Sequence, residues 1–295
     1  QLPIKLPPLS EQRAIVSKLE SLFSELDKGI ENIQKAQQQL EIYRQAVLKK
    51  AFEGGYTSKK LEESKLPKEW KLIKLRDICD MKAGFFIKAS QISKDYKDNL
   101  FPCYGGNGLR GYVESMTHEG TFPIVGRQGA LCGNVHLVNG KFHATEHAVV
   151  VKAKNNIDTK CLYYKLLQMR LNQYSTGTAQ PGLSVNKVVQ VETIFPLNLQ
   201  EQKQIVQEIE SRLSVCDKLN ESITESLEKA ESLRQSILKK AFEGKLLTSA
   251  ELAACKKEAD YEPAQKLLER IQAEKVAQEK AKKSTKKTRK KSVKK

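Results

Sequence analysis

Arginine, glutamine and asparagine side chains on glycine-rich turns are the residues of this sequence best suited to chemistry. Arg127 and Gln128 lie between Gly126 and Gly129, directly after the apolar run 122–125, which predicts a strand. An arginine can pair with guanine, and a glutamine with adenine, through two hydrogen bonds to the base edge. The pattern predicts a DNA-binding turn, and a plain surface turn is the alternative.

A second candidate is the glycine-rich stretch 106–111, which matches the dinucleotide-binding pattern G-x-G-x-x-G in form. A dinucleotide site needs a helix after the glycines and an acidic residue about 20 positions later, whereas a strand is predicted here. We interpret the stretch as a hairpin loop that offers Asn107 and Arg110 to bases or phosphates. Nearby basic and aromatic residues suit phosphate contacts, with solvated lysines as the ordinary alternative. The candidate DNA-binding residues are Lys82, Lys88, Tyr104, Asn107, Arg110, Arg127, Gln128, Thr178, Gln180 and Lys187.

Patterns for metal binding and catalysis are weaker. Cys132, His136, His143 and His147 show C-x3-H and H-x3-H spacings, but no helix is predicted to align them, which favours ordinary strand-edge histidines. The sequence holds no Asn-Pro-Pro-aromatic run of a methyltransferase and no Walker lysine motif. We therefore expect a non-catalytic protein with no metal site and no cofactor of its own.

The charge of the chain points to a polyanionic partner. Its 295 residues carry 51 Lys and Arg against 35 Asp and Glu, a net charge of +16. Residues 275–295 hold eleven of the basic residues and one Glu, and this tail is predicted to be disordered. A mean hydropathy of −0.52 leaves no apolar run near the roughly 18 residues that a bilayer requires. Six scattered cysteines indicate a reduced, cytoplasmic protein.

Two long helices are predicted to position the candidate turns. A shift of 190 positions aligns residues 7–54 with residues 197–244 without a gap, and 22 of the 48 pairs are identical. Apolar residues recur at spacings of three and four in both copies, and Gly54 and Gly244 end each copy after a Lys-Lys pair. Because such a narrow apolar stripe cannot be buried alone, we expect the copies to pack as an antiparallel coiled coil. A helix lying on a globular core is the alternative.

The sequence between the copies has a different character, with short apolar runs, aromatic residues and glycine-rich turns. Strands are predicted at 70–75, 122–125, 134–138 and 148–151, and a helix at 161–171. The fold class is therefore α+β, with two long helices flanking one inserted, β-rich domain. The predicted parts are a first helix at 1–54, the inserted domain at 55–195, a second helix at 196–244, a segment with a short helix at 245–274 and the tail at 275–295.

Several motifs occur in an order that we associate with one protein family. The run LPPLSEQ at 6–12, echoed with changes at 195–202, looks like a helix-opening signature of that family. The run LPKEW at 66–70 resembles the start of a target recognition domain, and the run at 177–184 resembles its end. Together they resemble the specificity subunit of bacterial type I restriction-modification systems.

This resemblance implies DNA recognition without catalysis. In the family, two recognition domains at opposite ends of a helical spacer read the two parts of a bipartite target. The helices dock modification subunits, which use S-adenosylmethionine to methylate adenine, and restriction subunits, which use ATP and Mg²⁺, join them. The resemblance therefore implies double-stranded DNA and both kinds of subunit as partners, cofactors only in the partner subunits, no membrane, and the bacterial cytoplasm.

One departure from the family is that this chain carries a single recognition domain. We expect either the C-terminal half of a longer subunit or a half-subunit that pairs with a second copy. An alternative function is a coiled-coil scaffold whose inserted domain binds another protein or RNA. The candidate residues for docking the modification subunit, on outward helix faces, are Arg44, Gln45, Lys49, Lys50, Arg234, Gln235, Lys239 and Lys240.

Overall fold

The computed structural model describes residues 6–54, 69–177 and 181–292. The chain divides into two compact units, which we name by their main content. The sheet unit is Gln39–Leu219, and the helical unit combines Gln1–Gln38 with Asn220–Lys295. Within the described parts of both units, no helix is long and apolar enough to cross a membrane.

Two helices of more than 40 residues dominate the element order, and most other elements lie between them. The helices are α1 (Leu9–Ala51), α2 (Leu75–Ile78), α3 (Thr159–Gln168), α4 (Val185–Val188), α5 (Leu199–Phe242), α6 (Ser249–Cys255) and α7 (Ala264–Ser292). The strands are β1 (Trp70–Lys74), β2 (Cys79–Ala83), β3 (Phe101–Gly105), β4 (Gly108–Val113), β5 (His118–Gly126), β6 (Val135–Ala144), β7 (Ala148–Ala153) and β8 (Glu192–Pro196).

The sheet unit contains a six-stranded sheet with the order β2-β7-β5-β6-β3-β4 and a two-stranded sheet of β1 and β8. Paired strands are antiparallel, apart from β3 and β6, which are parallel. The strands predicted at 70–75, 122–125, 134–138 and 148–151 overlap β1, β5, β6 and β7, and these predictions are confirmed. The mixed domain predicted from the sequence is thus built mainly from antiparallel strand pairs.

Strand β7 lies in the core because apolar side chains cover both of its faces. Val149 and Val151 belong to a hydrophobic cluster that includes Leu162 of α3. Val150, between them, points to the opposite face and belongs to a second cluster with Phe142. A run of consecutive apolar residues, as in β7, is what a strand covered on both faces requires.

The first cluster also joins the two-stranded sheet to the two long helices. The ring of Phe52, near the end of α1, stacks on the ring of Phe195 in β8, with centroids 6.4 Å apart. The indole Nε1 of Trp70 in β1 donates to Oε1 of Glu201 in α5 at 2.8 Å. Val206 of α5 packs in the same cluster. Within the sheet unit, the domain is therefore held on the helices by aromatic packing and a hydrogen bond.

Gln202 is a fully buried polar side chain in the first turns of α5. Its Nε2 donates to the carbonyl oxygens of Asn156 and Pro196 at 3.1 and 3.0 Å, and its Oε1 accepts from the amide of Asp158 at 2.7 Å. Asp158 in turn caps α3 by accepting from the amide of Cys161. This network fixes the start of α3 against the start of α5.

In the helical unit, α1 and α5 run antiparallel. Asp27 forms an ion pair with Arg234, and Nε2 of Gln37 donates to Oδ1 of Asn220 at 3.4 Å. From the first contact to the second, the residue number rises in α1 and falls in α5. The predicted antiparallel pair is therefore confirmed. The guanidinium of Arg234 also lies over the ring of Phe23, 4.9 Å from its centroid.

The interhelical ion pair of the helical unit has a copy in the sheet unit, where Arg44 lies 2.6 Å from Asp217. Asp217 and Arg234 stand 190 positions after Asp27 and Arg44, so they are equivalent residues of the repeat. Each ion pair joins the aspartate of one copy to the arginine of the other. Self-complementary pairing of two equivalent helices produces this exchange.

Equivalent residues of the two copies differ in how deeply they are buried. Phe52 and Val206, which pack in the sheet unit, are 3% and 7% exposed. Their equivalents in the helical unit, Phe242 and Val16, are 75% and 52% exposed. The repeat therefore places equivalent apolar residues on both long helices. The sheets and α3 cover those of the sheet unit, whereas Phe242 and Val16 are exposed.

The residues after α5 pack against the start of α1 in the helical unit. Nζ of Lys18 lies 2.5 Å from Oε1 of Glu251, and the guanidinium of Arg13 contacts Glu258 and Asp260 at 3.0 and 2.6 Å. The hydrogen bond from Lys18 is the main reason that the pKa of Glu251 falls to about 2. These ion pairs hold the C-terminal segment on α1.

The C-terminal tail differs from its prediction. The short helix expected within 245–274 is matched by α6 and by the start of α7. The tail expected to be disordered at 275–295 is instead helical through Ser292, as the continuation of α7. The physical reason is composition, because residues 264–292 contain no glycine or proline and are rich in Ala, Lys, Gln and Glu, which favour helix. Charge repulsion along the segment does not override this propensity in the structure.

Candidate nucleic-acid interface

The turn after β5 is anchored to its neighbours through the backbone of Arg127. The amide of Arg127 donates to the carbonyl of His147 at 2.9 Å, and its carbonyl accepts from the amide of Leu183 at 2.8 Å and from the thiol of Cys132 at 3.2 Å. The amide of Gly129 donates to the carbonyl of Pro181 at 3.0 Å. The loops before β7 and before α4 therefore fix the turn from two sides.

A close approach of two glycines brings the β3–β4 hairpin to the same place. A Cβ atom on Gly126 would lie 2.3 Å from the carbonyl oxygen of Gly106, so only glycine fits at position 126. Gly105 pairs with Gly108, so residues 106 and 107 form the hairpin turn predicted from the sequence. Backbone contact thus places the glycine-rich hairpin against the turn of Arg127.

Two adjoining grooves result, and both are lined in part by side chains of the types that can hydrogen-bond bases or phosphates. The first has a volume of about 480 Å³, and its lining includes Lys82, Arg127 and Gln128. The second, of about 370 Å³, is lined by residues 105–110, Gln128, Gly129 and His147. Within 105–110, Asn107 and Arg110 are the polar residues, and the others are glycines and one leucine. Among the described residues that line the grooves, none is acidic.

Five of the ten DNA-binding candidates therefore come together, and three further described candidates, Tyr104, Lys187 and Lys88, do not line these grooves. Tyr104 packs edge-on against Phe142, with centroids 5.8 Å apart, and burial raises its pKa. Lys187 is exposed on α4, directly after the groove residue Asn186. Lys88 is exposed before the 3-10 turn Ala89–Gln91. The remaining two candidates, Thr178 and Gln180, lie outside the described residues.

Four polar residues that line the grooves, Thr176 among them, were not among the candidates. His147 was interpreted only as a strand-edge histidine, and its Nε2 lies 3.2 Å from Oε1 of Glu146. Ser184 and Asn186 line the first groove beside α4. A signal for the last two was present, because polar residues alternate with Val185 directly after a glycine-rich stretch.

The docking candidates fall into two groups. Arg44 and Arg234 point to the facing helix, where each pairs with an aspartate, so the prediction that they lie on outward faces is wrong. Their role is explained by the repeat, which requires an arginine at this interhelical position in each copy. The other candidates stay predictions: Gln45 accepts from Arg170, Gln235 donates to Glu231, Lys49 and Lys239 lie near Glu53 and Glu243, and Lys50 and Lys240 are exposed.

Histidine, cysteine and carboxylate side chains do not gather as metal ligands in the part of the chain that the structure describes. Nδ1 of His143 contacts the carbonyl of Ser115 at 3.1 Å, and the ring of His118 stacks on Phe142. Burial lowers the pKa of His118. These two histidines thus occupy packed positions in the sheet rather than a ligand set.

Comparison with known proteins adds a family to this geometry. A family model described as the type I restriction modification DNA specificity domain matches residues 67–229. The chain is 43% identical over 152 residues to the EcoprrI specificity subunit of Escherichia coli, covering 51% of this chain and 37% of that protein. It is 26% identical over 310 residues to the EcoBI specificity subunit of Escherichia coli, covering 93% of this chain and 65% of that protein. The chain thus spans about a third to two thirds of these curated relatives.

Solved structures show the same fold. A structure from work on complex assembly and conformational transition of the type I R-M system matches with a TM-score of 0.66 and 22% identity, covering 82% of this chain and 61% of that one. The S subunit from M. genitalium matches with a TM-score of 0.53 and 21% identity, covering 79% and 61%. Because the family model covers more than half of the chain and its order of long helices and sheet domain recurs in these structures, the chain belongs to the family of type I restriction-modification specificity subunits.

Proposed function

We propose that this chain reads one half of a bipartite duplex DNA target for a type I restriction-modification complex. The observation that supports this most directly is the pair of adjoining grooves in the sheet unit, where Lys82, Asn107, Arg110, Arg127 and Gln128 converge without an acidic neighbour in the lining. Lysine and arginine attract the phosphates, and arginine, asparagine and glutamine can hydrogen-bond base edges. The Lys-rich segment after residue 275 adds attraction to DNA that is independent of sequence.

The chain has a recognition role in this proposal, and the chemistry belongs to its partners. Modification subunits would bind S-adenosylmethionine and methylate adenine, and restriction subunits would use ATP and Mg²⁺. Such a complex would act on chromosomal and incoming DNA, which places it in the bacterial cytoplasm. The remaining docking candidates on α1 and α5, such as Lys49, Lys50, Lys239 and Lys240, would contact the modification subunit.

A bipartite target requires a second recognition domain, and the repeat supports a place for it. Phe242 and Val16 in the helical unit are exposed equivalents of Phe52 and Val206, on which the sheet unit packs its own domain. A second recognition domain would cover them in the same way. That domain would come from a longer form of this subunit or from a second copy of this chain.

The test is to express the chain with an adenine modification subunit of its source and to map methylated adenines across the genome. Exchange of residues 66–190 for those of a relative should change the methylated sequence, while exchange of the helices should not. An unchanged sequence would contradict the proposal. The alternative, a scaffold that binds protein or RNA, predicts no salt-sensitive binding of duplex DNA and no complex with the modification subunit.

A further inference from the structure

Two arginines stand apart from the others in the described part of the chain. Nine arginine side chains are described, and seven of them contact a carboxylate or amide of another side chain. The seven are Arg13, Arg44, Arg76, Arg170, Arg212, Arg234 and Arg270. Arg110 and Arg127 make no such contact with any described residue, and each lines one of the two grooves.

An unpaired guanidinium is informative because pairing is the usual state in this protein. A guanidinium carries five donors in a planar fork, which is matched by a carboxylate, a phosphate or the O6 and N7 edge of guanine. The grooves of Arg110 and Arg127 offer no carboxylate among their described lining residues. These two side chains therefore keep their donors for a partner outside the chain.

The rigid backbone at Arg127 suits hydrogen bonding to a base better than nonspecific attraction to phosphates. Its amide and carbonyl are both hydrogen-bonded to neighbouring loops, and the contact of Gly126 with Gly106 leaves no room for the turn to shift toward the hairpin. Arg110 lies at a β-bulge in β4, between Gly111, which pairs with Cys103, and Leu109, which pairs with Tyr104, so the strand pairs on both sides hold its backbone. A side chain on a rigid backbone discriminates between bases because the protein cannot shift to form hydrogen bonds with the wrong base.

We propose that Arg110 and Arg127 are the specificity-determining residues of this domain, each pairing with O6 and N7 of a guanine in the major groove. The proposal rests on the proposed function, because it assigns base reading within the same DNA interface. The exposed Lys82, with a flexible stem and a point charge, takes the complementary role of a phosphate contact. The target half read by this chain then contains two guanines whose replacement weakens recognition.

The experiment uses the complete chain in complex with its modification subunit and compares Arg127→Ala, Arg110→Ala, Lys82→Ala and Arg170→Ala. Arg170 is a matched control because it lies in the same unit and outside the grooves. Genome-wide mapping of methylated adenines gives the recognised sequence of each complex. Titration of duplexes carrying single base changes gives the affinities at two salt concentrations.

Each arginine variant should lose the requirement for guanine at one position, so that discrimination there falls about tenfold to 100-fold while the other positions keep theirs. The two variants should relax different positions. Lys82→Ala should weaken all duplexes alike and reduce the salt dependence, and Arg170→Ala should change neither. The unrelaxed positions show that a variant has folded, and the second arginine variant tests the proposal if the first does not fold.

Two results would overturn the inference and can be told apart. Equal weakening of all duplexes by both arginine variants, with an unchanged methylated sequence, would make the arginines phosphate contacts and leave the proposed function intact. A methylated sequence that does not depend on residues 66–190 of the wild-type chain would remove the proposed function itself.

Discussion

The two copies of the repeat show that similar helices have different packing environments, because the sheets and α3 cover only one of them. In the sheet unit, Phe52 and Gln202 are buried by strands and by α3, whereas Phe242 in the helical unit is mostly exposed and Gln12 is half-buried. The pairs share residue type and position in the repeat. The same substitution made in both copies therefore measures how much the recognition domain contributes to the free energy of unfolding. The equivalent position in the helical unit is the internal control.

The largest difference is expected at the two phenylalanines. Phe52→Ala should lower the free energy of unfolding of the sheet unit by about 3–5 kcal/mol, because it empties a packed site against Phe195. Phe242→Ala should change stability by no more than about 0.5 kcal/mol, because the side chain is 75% exposed. Urea unfolding followed by the fluorescence of Trp70, the single tryptophan of the chain, reports on the sheet unit. Equal losses would show that Phe242 is covered in solution, as by a second copy.

A smaller contrast is expected at the two glutamines. Gln202→Ala removes three hydrogen bonds and leaves the buried carbonyls of Asn156 and Pro196 and the amide of Asp158 without this partner, so a loss of about 2–4 kcal/mol is expected. Gln12 makes one such bond, from Nε2 to the carbonyl of Pro7 at 2.8 Å, and Gln12→Ala should cost about 1 kcal/mol or less. Urea midpoints of the two variants provide the measurement. A larger effect at Gln12 would contradict this account of the difference.

The recognition domain also brings a buried charge to one copy alone. Lys165 is 4% exposed, its Nζ lies 4.8 Å from the centroid of Phe52, and it donates to Oε1 of Gln168 at 3.0 Å. Burial lowers its pKa from 10.5 to about 8, although the charges of Cys161 and Glu53 act in the opposite direction. A neutral lysine is therefore favoured in the folded protein at a pH where the unfolded chain still binds the proton.

The contribution of Lys165 to the stability of the sheet unit should consequently rise with pH between about 8 and 10.5, by about 3 kcal/mol, and this gain is lost as the pH falls back through the same window. The sign follows because the unfolded state binds more protons than the folded state in this window. Lys165→Met should stabilise the unit at pH 7 and abolish the rise. Urea unfolding of the wild-type and Lys165→Met chains across the pH range tests both through the difference between the two chains, because buried thiols such as Cys79, whose pKa burial raises, lower the stability of both as the pH rises. A difference that does not change with pH would contradict the assignment.

Sequence reasoning was most successful where the signal is local. The three-and-four spacing and the terminal glycines predicted α1 and α5, and the consecutive apolar residues predicted β7. The segment after α5 was less well predicted, although Thr248 and Glu251 form a capping box whose T-x-x-E pattern is visible in the sequence. The local pattern thus indicated the start of α6, although it was not used to predict that helix.

The grooves could be predicted only in part because they depend on contacts distant in sequence. Glycine-rich turns with Arg110 and Arg127 were recognisable as candidates, but nothing local shows that Gly106 meets Gly126 or that Leu183 binds the carbonyl of Arg127. Tyr104 looked equally suitable and instead packs on Phe142. Residue type indicated which side chains can bind DNA, and tertiary contacts decided which of them share a surface.

The smallest effect, and the one in which the two copies should agree, concerns the interhelical ion pairs. Arg44 with Asp217 and Arg234 with Asp27 are the same pair with the copies exchanged, and their side chains are similarly exposed, 22% and 68% against 29% and 59%. Double-mutant cycles to alanine should give coupling energies of about 0.5–1 kcal/mol for both, falling in high salt. A clear inequality would mean that the recognition domain alters the helix pairing itself, whereas equal values would confine its influence to the residues it covers.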